Sequence, residues 1–219
     1  MKRILSTLAC LSFALPVFAN ISTINNFFIA KQWLPLHLSV GVYGGYGASS
    51  GAYQQDGQAT QGRLAFGLST PQNNNLSLGA EAGVQSGNTM RLYASPALIT
   101  TAGGLPIQST LKPFVDFLLT ARGKILPNAP LYAMLKGGIA YRQLTLDDRT
   151  SSQDGLRQVN GEFQAGLAYS LTDRATVTAF YQGIYAGNNA GLNLDSAGNV
   201  TISRIPTQQA GFLGVEYAV

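Results

Sequence analysis

The sequence predicts an all-β chain, an eight-stranded antiparallel up-and-down transmembrane β-barrel, on three observations. Only 11% of its 219 residues are charged, while 46% are apolar and 25 are glycine; a soluble domain carries about a quarter charged residues. Eight segments alternate apolar and small or polar residues with period two. The connections between them alternate short and long.

The charge deficit excludes disorder, which needs low hydrophobicity and many charges. Mean hydropathy is +0.10, and past residue 19 there is no run of about 20 uncharged apolar residues of the kind a membrane helix requires. A strand between lipid and a packed interior satisfies both limits.

Residues 1–19 read as an export signal: Lys2 and Arg3 form the basic start, an apolar stretch follows, and Pro16-Val17-Phe18-Ala19 offers a small-residue cleavage site. A lipoprotein signal ending at Cys10 is the rival reading, but Thr7 stands where such signals want Leu, and the apolar run continues past the cysteine. Removing residues 1–19 takes away Lys2 and Arg3, so the net charge falls from +4 to +2, and it takes away the only cysteine. Disulfide, thiol and cysteine–metal chemistry are then not expected. With no basic run, a nucleic-acid partner is not expected either. Residues 20–34, with Ile21, Ile24, Phe27, Phe28, Ile29 and Trp33, read as a periplasmic leader or a short interfacial helix anchored by Trp33.

Residues 35–219 carry the barrel. Because successive strand side chains point to opposite faces, each segment has an outward set. The first, 36–47, shows Leu36, Leu38, Val40, Val42 and Tyr46; the second, 59–70, Leu64, Phe66 and Leu68; the third, 76–87, Leu78, Ala80, Ala82 and Val84. The fourth, 108–123, shows Leu111, Val115, Phe117 and Leu119; the fifth, 131–144, Ala133, Leu135, Ile139 and Tyr141; the sixth, 158–171, Phe163, Ala165, Leu167 and Tyr169. The seventh, 175–187, shows Val177, Ala179, Tyr181 and Tyr185, and the eighth, 207–219, Leu213, Val215, Tyr217 and Val219. Each is long enough for the ~9–11 tilted residues that cross the hydrocarbon.

The charges test these registers. Arg63, Glu81, Lys112, Asp116, Arg122, Lys136, Arg142, Glu162 and Glu216 all fall on the face opposite the apolar one, and a charge facing lipid at mid-depth costs ~2–4 kcal/mol. They are expected to form a layered interior ion network, with Glu81 and Lys136 at one height, Arg63 and Asp116 slightly above, and Glu162 above those.

Short connections at 71–75, 125–130 and 172–174 alternate with long ones at 48–58, 88–107, 145–157 and 188–206, the pattern of tight periplasmic turns and long external loops. Met90 and Leu92 continue the third segment's parity, so the third and fourth strands are expected to project beyond the membrane. Pro113 removes a donor from a strand bonded on both sides and needs a bulge or a rim position. Tyr132, Tyr169 and Tyr217, with Trp33, are the expected interface anchors.

Tyr132-Ala133-Met134-Leu135-Lys136-Gly137-Gly138-Ile139-Ala140-Tyr141, the run from Gly161 to Asp173, Ala179-Phe180-Tyr181-Gln182, and the ending Gly211-Phe212-Leu213-Gly214-Val215-Glu216-Tyr217 resemble the later strands of the outer membrane protein A-like and opacity-like eight-stranded barrels. The resemblance is carried by residues 132–217 and is architectural before them. It implies the outer membrane of a Gram-negative bacterium, with lipid and lipopolysaccharide as neighbours. Two departures from the family pattern are read here: Val219 stands where the family's terminal aromatic is expected, and a peptidoglycan-binding domain after the barrel is not expected.

A narrow eight-stranded lumen is filled by side chains, so a structural or surface-interaction role, carried by the four long loops of a monomer, is the expectation. Tyr53, Tyr93 and Leu192 are the candidate loop contacts, facing a host or surface ligand. A small gated ion channel is the alternative, and a lipid A-modifying enzyme a further one. His37, the only histidine, shares a face with Ser39, but it stands at the periplasmic start of its strand, away from the outer leaflet, so no catalytic residue is expected. A soluble lipocalin-like binder would invert the faces. No cofactor or metal set is expected; Asp147, Asp148 and Asp154 lack calcium-loop spacing.

Overall fold

The computed structural model describes residues 36–49, 57–73, 75–91, 100, 108–126, 128–147, 155–187, 192–194 and 200–219. The expectations for 1–19 and 20–34, Trp33 among them, and for Tyr53 and Tyr93, lie outside the described residues, as does the side chain of Leu192.

The strands run in order β1 (His37–Ser49), β2 (Gln58–Asn73), β3 (Leu76–Gln85), β4 (Asn88–Arg91), β5 (Gln108–Leu111), β6 (Phe114–Lys124), β7 (Leu131–Asp147), β8 (Leu156–Ser170), β9 (Ala175–Tyr185), β10 (Leu192–Leu194), β11 (Val200–Ile202) and β12 (Gln208–Ala218). One sheet holds all but β10 and β11; β1 pairs with both β2 and β12, and the β7–β8 pairing closes the circle. With β4 extending β3 and β5 leading into β6, the wall is a closed barrel of eight antiparallel strands. β10 and β11 form a separate hairpin within the fourth long connection.

The short turns are written in local chemistry. At 171–174 the Thr172 hydroxyl oxygen accepts from Ala175 N (2.9 Å), while Leu171 N bonds Ala175 O (2.8 Å), a side chain standing in for a backbone turn partner. Pro71 sits at a register shift in the β2–β3 pairing, where its missing N–H does least harm. At the other end the strands outrun their expected limits, because β7 reaches Asp147 and β8 starts at Leu156.

The outward set is exposed as alternation demands: Leu38, Val42, Leu64, Phe66, Leu68, Phe117, Leu119, Ile139, Phe163, Leu167, Leu213 and Val215 form an apolar belt. Tyr46, Tyr141, Tyr181 and Tyr185 stand on the outer face toward the long-loop end, and Tyr169 and Tyr217 toward the short-turn end. Tyr132 is a correction. It pairs with fully buried Ala168 and shares the lumen parity of Met134 and Lys136, so it is a half-buried side chain of the barrel's base and not an outer anchor.

The fourth segment corrects the alternation itself. Leu111, expected outward, is 4% exposed, whereas Lys112, expected inward, is exposed together with Pro113; Phe114 then points in and Val115, Phe117 and Leu119 point out. Pro113 has no N–H to offer the ladder, and between the pairs Leu111–Leu144 and Val115–Tyr141 this strand holds one residue more than β7, a bulge that resets the parity. The facing strand breaks at Ser86–Gly87 for the same reason. A Cβ on Gly87 would collide with the backbone of Leu111, Lys112 and Pro113, so only glycine permits this approach. Past the break Met90, also expected outward, is buried.

Candidate functional site

The lumen is the part of the barrel where chemistry gathers, and it is built in layers. At the base, Arg122 Nη2 donates to Glu216 Oε2 at 2.5 Å across the barrel, both side chains partly exposed. Beside them lies a cavity of about 40 Å³ lined by Ser39, Ser69, Ser77, Thr120, Glu81 and Lys136, among others, room for about one water.

Above it comes the ion network. Arg63 Nε and Nη2 donate to the two oxygens of Asp116 at 3.1 and 2.5 Å, and Nη2 also reaches Glu81 at 2.8 Å. Lys136 Nζ donates to the other Glu81 oxygen at 2.6 Å. Four strands, β2, β3, β6 and β7, thus meet through two cations and two carboxylates, all buried. Paired and hydrogen-bonded, such charges are tolerable; stripped of one partner, they are not.

Facing this network from the opposite wall is an aromatic trio. Phe180 stacks on Phe212 with centroids 5.2 Å apart and meets Tyr43 edge-on at 5.1 Å. The Lys136 ammonium lies 5.6 Å from the Phe180 ring and 5.8 Å from Tyr43, and the Arg63 guanidinium 5.9 Å from Tyr43, within cation–π range. The rings fit because glycines lie beneath them: a Cβ on Gly214 would strike Tyr43, on Gly45 Phe212, and on Gly166 Phe180.

Next is a layer of neutral amides. Gln85 and Gln208 both donate to Gln61 Oε1 at 2.8 Å; Gln182 donates to Gln85 at 2.9 Å and to Glu162 at 2.6 Å; Gln164 donates to Glu162 at 2.7 Å. Five strands are tied across the lumen by this chain. Glu162 therefore joins the site through glutamines and not through the Arg63 cluster. Arg142 stands apart from it too, donating to Asn160 Oδ1 at 2.9 Å and to Pro206 O at 3.0 Å. Sequence reasoning does not single out the glutamines, although all five carry lumen parity, which is the available signal.

The mouth is apolar. Met90, Leu111, Phe114, Ala140, Leu144, Ile184 and Ile205 form one buried cluster. Ile205 enters from the segment before β12, its N–H held by Gln158 Oε1 at 3.0 Å and its neighbour's carbonyl held by Arg142.

Of the expected network, Arg63, Glu81, Asp116 and Lys136 are brought into contact; Arg122 pairs with Glu216 below them, while Glu162 and Arg142 lie in separate layers. Lys112 is outside the lumen. His37 is exposed at the short-turn end, across the strand pair from Ser69, with Ser39 half-buried beside it. Among the described residues no group of three or more His, Cys, Asp or Glu side chains is placed to hold a metal ion.

No family model and no curated protein sequence matches the chain. Similar solved structures include Neisserial surface protein A, 13% identical over 83% of this chain and 96% of that one, with a TM-score of 0.45. Ail, the attachment invasion locus protein of Yersinia pestis, is 11% identical over 86% and 100% of the two chains, TM-score 0.47. A major outer membrane protein from Thermus thermophilus is 16% identical over 83% and 99%, TM-score 0.45. The closed eight-stranded antiparallel β-barrel of this chain stands on its own strand pairings.

Proposed function

We propose that the protein is an integral barrel of a bacterial outer membrane that acts as a rigid, plugged scaffold, presenting its long loops at the cell surface for structural or adhesive contacts. One observation carries this reading: the polarity of the barrel is inside out. The outer wall is a continuous belt of exposed Leu, Val, Phe and Ile bounded by tyrosines, while Arg63, Glu81, Asp116, Lys136 and the glutamines are buried within. Monomeric soluble proteins rarely expose apolar patches beyond a few hundred Å², whereas a barrel in lipid requires this arrangement.

The packed lumen favours a scaffold over a conduit. The ion pair at the base, the charged network packed against the aromatic rings, the amide layer and the apolar mouth follow one another with side chains interlocked in each, and contacts on a rigid barrel then fall to its loops. Membrane fractionation with heat-modifiable gel migration tests the location: recovery of the protein in a soluble periplasmic fraction would sink it. Comparing surface binding by the intact protein and by a form with loops 48–58, 88–107, 145–157 and 188–206 shortened tests the role, with loss of binding expected on shortening.

A further inference from the structure

Lys112 is displaced from the lumen by the break at Pro113, and its new position matters. Its backbone N–H donates to Gln143 O at 2.9 Å, and Gln143 is the register partner of Arg157 on the next strand. Lys112, Gln143 and Arg157 thus lie side by side across three neighbouring columns of the wall. Strands are ~4.8 Å apart, so the two basic columns are about 10 Å apart, within joint reach of two long side chains that extend along a surface with their charges free.

Height matters as much as spacing. Two residues nearer the short-turn end the same columns carry Tyr141 and its partner Val159, both exposed, with Val115 paired to Tyr141 on the other side. The basic row stands immediately above the edge of the apolar belt, where the belt gives way to Thr89, Thr110, Gln143 and Thr145. Lys112 and Arg157 are exposed and have no ion-pair partner among the described residues. The other charged side chains described as exposed at this end, Arg91 and Arg204, are also basic.

The geometry points to an anion site on the outer wall, formed by Lys112 and Arg157 with the Gln143 amide between them, that takes the phosphate group of a lipid in the outer leaflet. An arginine fork and a lysine point charge are the usual pairing for phosphate, and a row at the rim of an apolar belt meets headgroups first. The site deepens the outer-membrane reading and rests on it.

The test uses the full chain folded into phosphatidylcholine vesicles, with lipid retention counted by native mass spectrometry after extraction. The probe is lipid A bearing both phosphates, set against dephosphorylated lipid A. The intact protein is expected to retain the phosphorylated form at least tenfold more tightly than the dephosphorylated one. The Lys112→Gln/Arg157→Gln double variant should lose that preference, and Lys112→Arg should keep it. Equal retention by the double variant, or of the two lipids by the intact protein, overturns the site. Release of lipid A by millimolar inorganic phosphate overturns the lipid source in favour of a soluble anion. Heat-modifiable migration is read on every sample: failure of the intact protein to enter vesicles overturns the membrane reading itself, whereas an inserted protein indifferent to phosphate overturns only this proposal.

Discussion

The lower and upper halves of the lumen are filled by opposite chemistries in one continuous wall. Toward the short-turn end, charges on four strands neutralise each other beside stacked rings; toward the loops, the filling is Met90, Leu111, Phe114, Leu144, Ile184 and Ile205. The lower half is directional, since each contact depends on a partner with fixed geometry, and the upper is not. Directional filling fixes how the strands sit relative to one another, while apolar filling excludes water from a mouth that would otherwise fall open to it.

The contrast can be broken most strongly at Arg63. Arg63→Ala leaves Asp116 without a cation and Glu81 with only Lys136, so a loss of about 3–5 kcal/mol is expected, read from urea unfolding of the protein in vesicles; a change below about 1 kcal/mol would show that the network is incidental. Leu144→Ala probes the upper half, where a cavity in a close-packed cluster costs about 2–5 kcal/mol; here the loss should not respond to ionic strength. Arg122→Ala removes a partly exposed pair at the base, and about 1 kcal/mol is expected, since water and salt already screen it. Lys112→Gln should leave the unfolding midpoint where it is, in contrast to Lys136→Gln, which lowers it by stripping a buried carboxylate of one of its two cations. Planar-bilayer recordings sharpen the comparison from the side of function: no conductance above background is expected from a lumen filled in four successive layers, and discrete openings would return the gated-channel reading.

The same contrast decides what can be read from the sequence. In the lower half the strands run unbroken, so parity from Leu64 to Leu68 or from Val115 to Leu119 assigns every face, and counting along strands places Glu81 beside Lys136 as found. The upper half lies beyond Pro113 and Gly87. A period-two reading carries its phase forward until something resets it, and Leu111, Lys112 and Met90 all take the wrong face when the reset is missed. Pro113 is a visible warning of a bulge, but a proline alone gives neither the number of inserted residues nor the break it imposes on the partner strand. The amide layer escapes for a different reason. Gln61, Gln85, Gln164, Gln182 and Gln208 have the right parity, but a neutral polar residue costs little on either face of a rim, so its placement is weaker testimony than that of a charge.

The seam between the first and last strands has a consequence in time. β1 and β12 pair from Ser39 with Ala218 to Ser49 with Gln208, and Val219 N still bonds Leu38 O at 2.9 Å. The pairings β1–β2, β2–β3, β6–β7, β7–β8 and β8–β9 each join strands that are neighbours along the chain, so they close short loops of low entropic cost. The β1–β12 pairing spans nearly the whole barrel sequence, and such distant contacts are the slow ones. Until that seam is sewn, both of its edges offer unpaired backbone to any other strand. The strand farthest from β1 along the chain is thus the one that decides whether the sheet becomes a closed object.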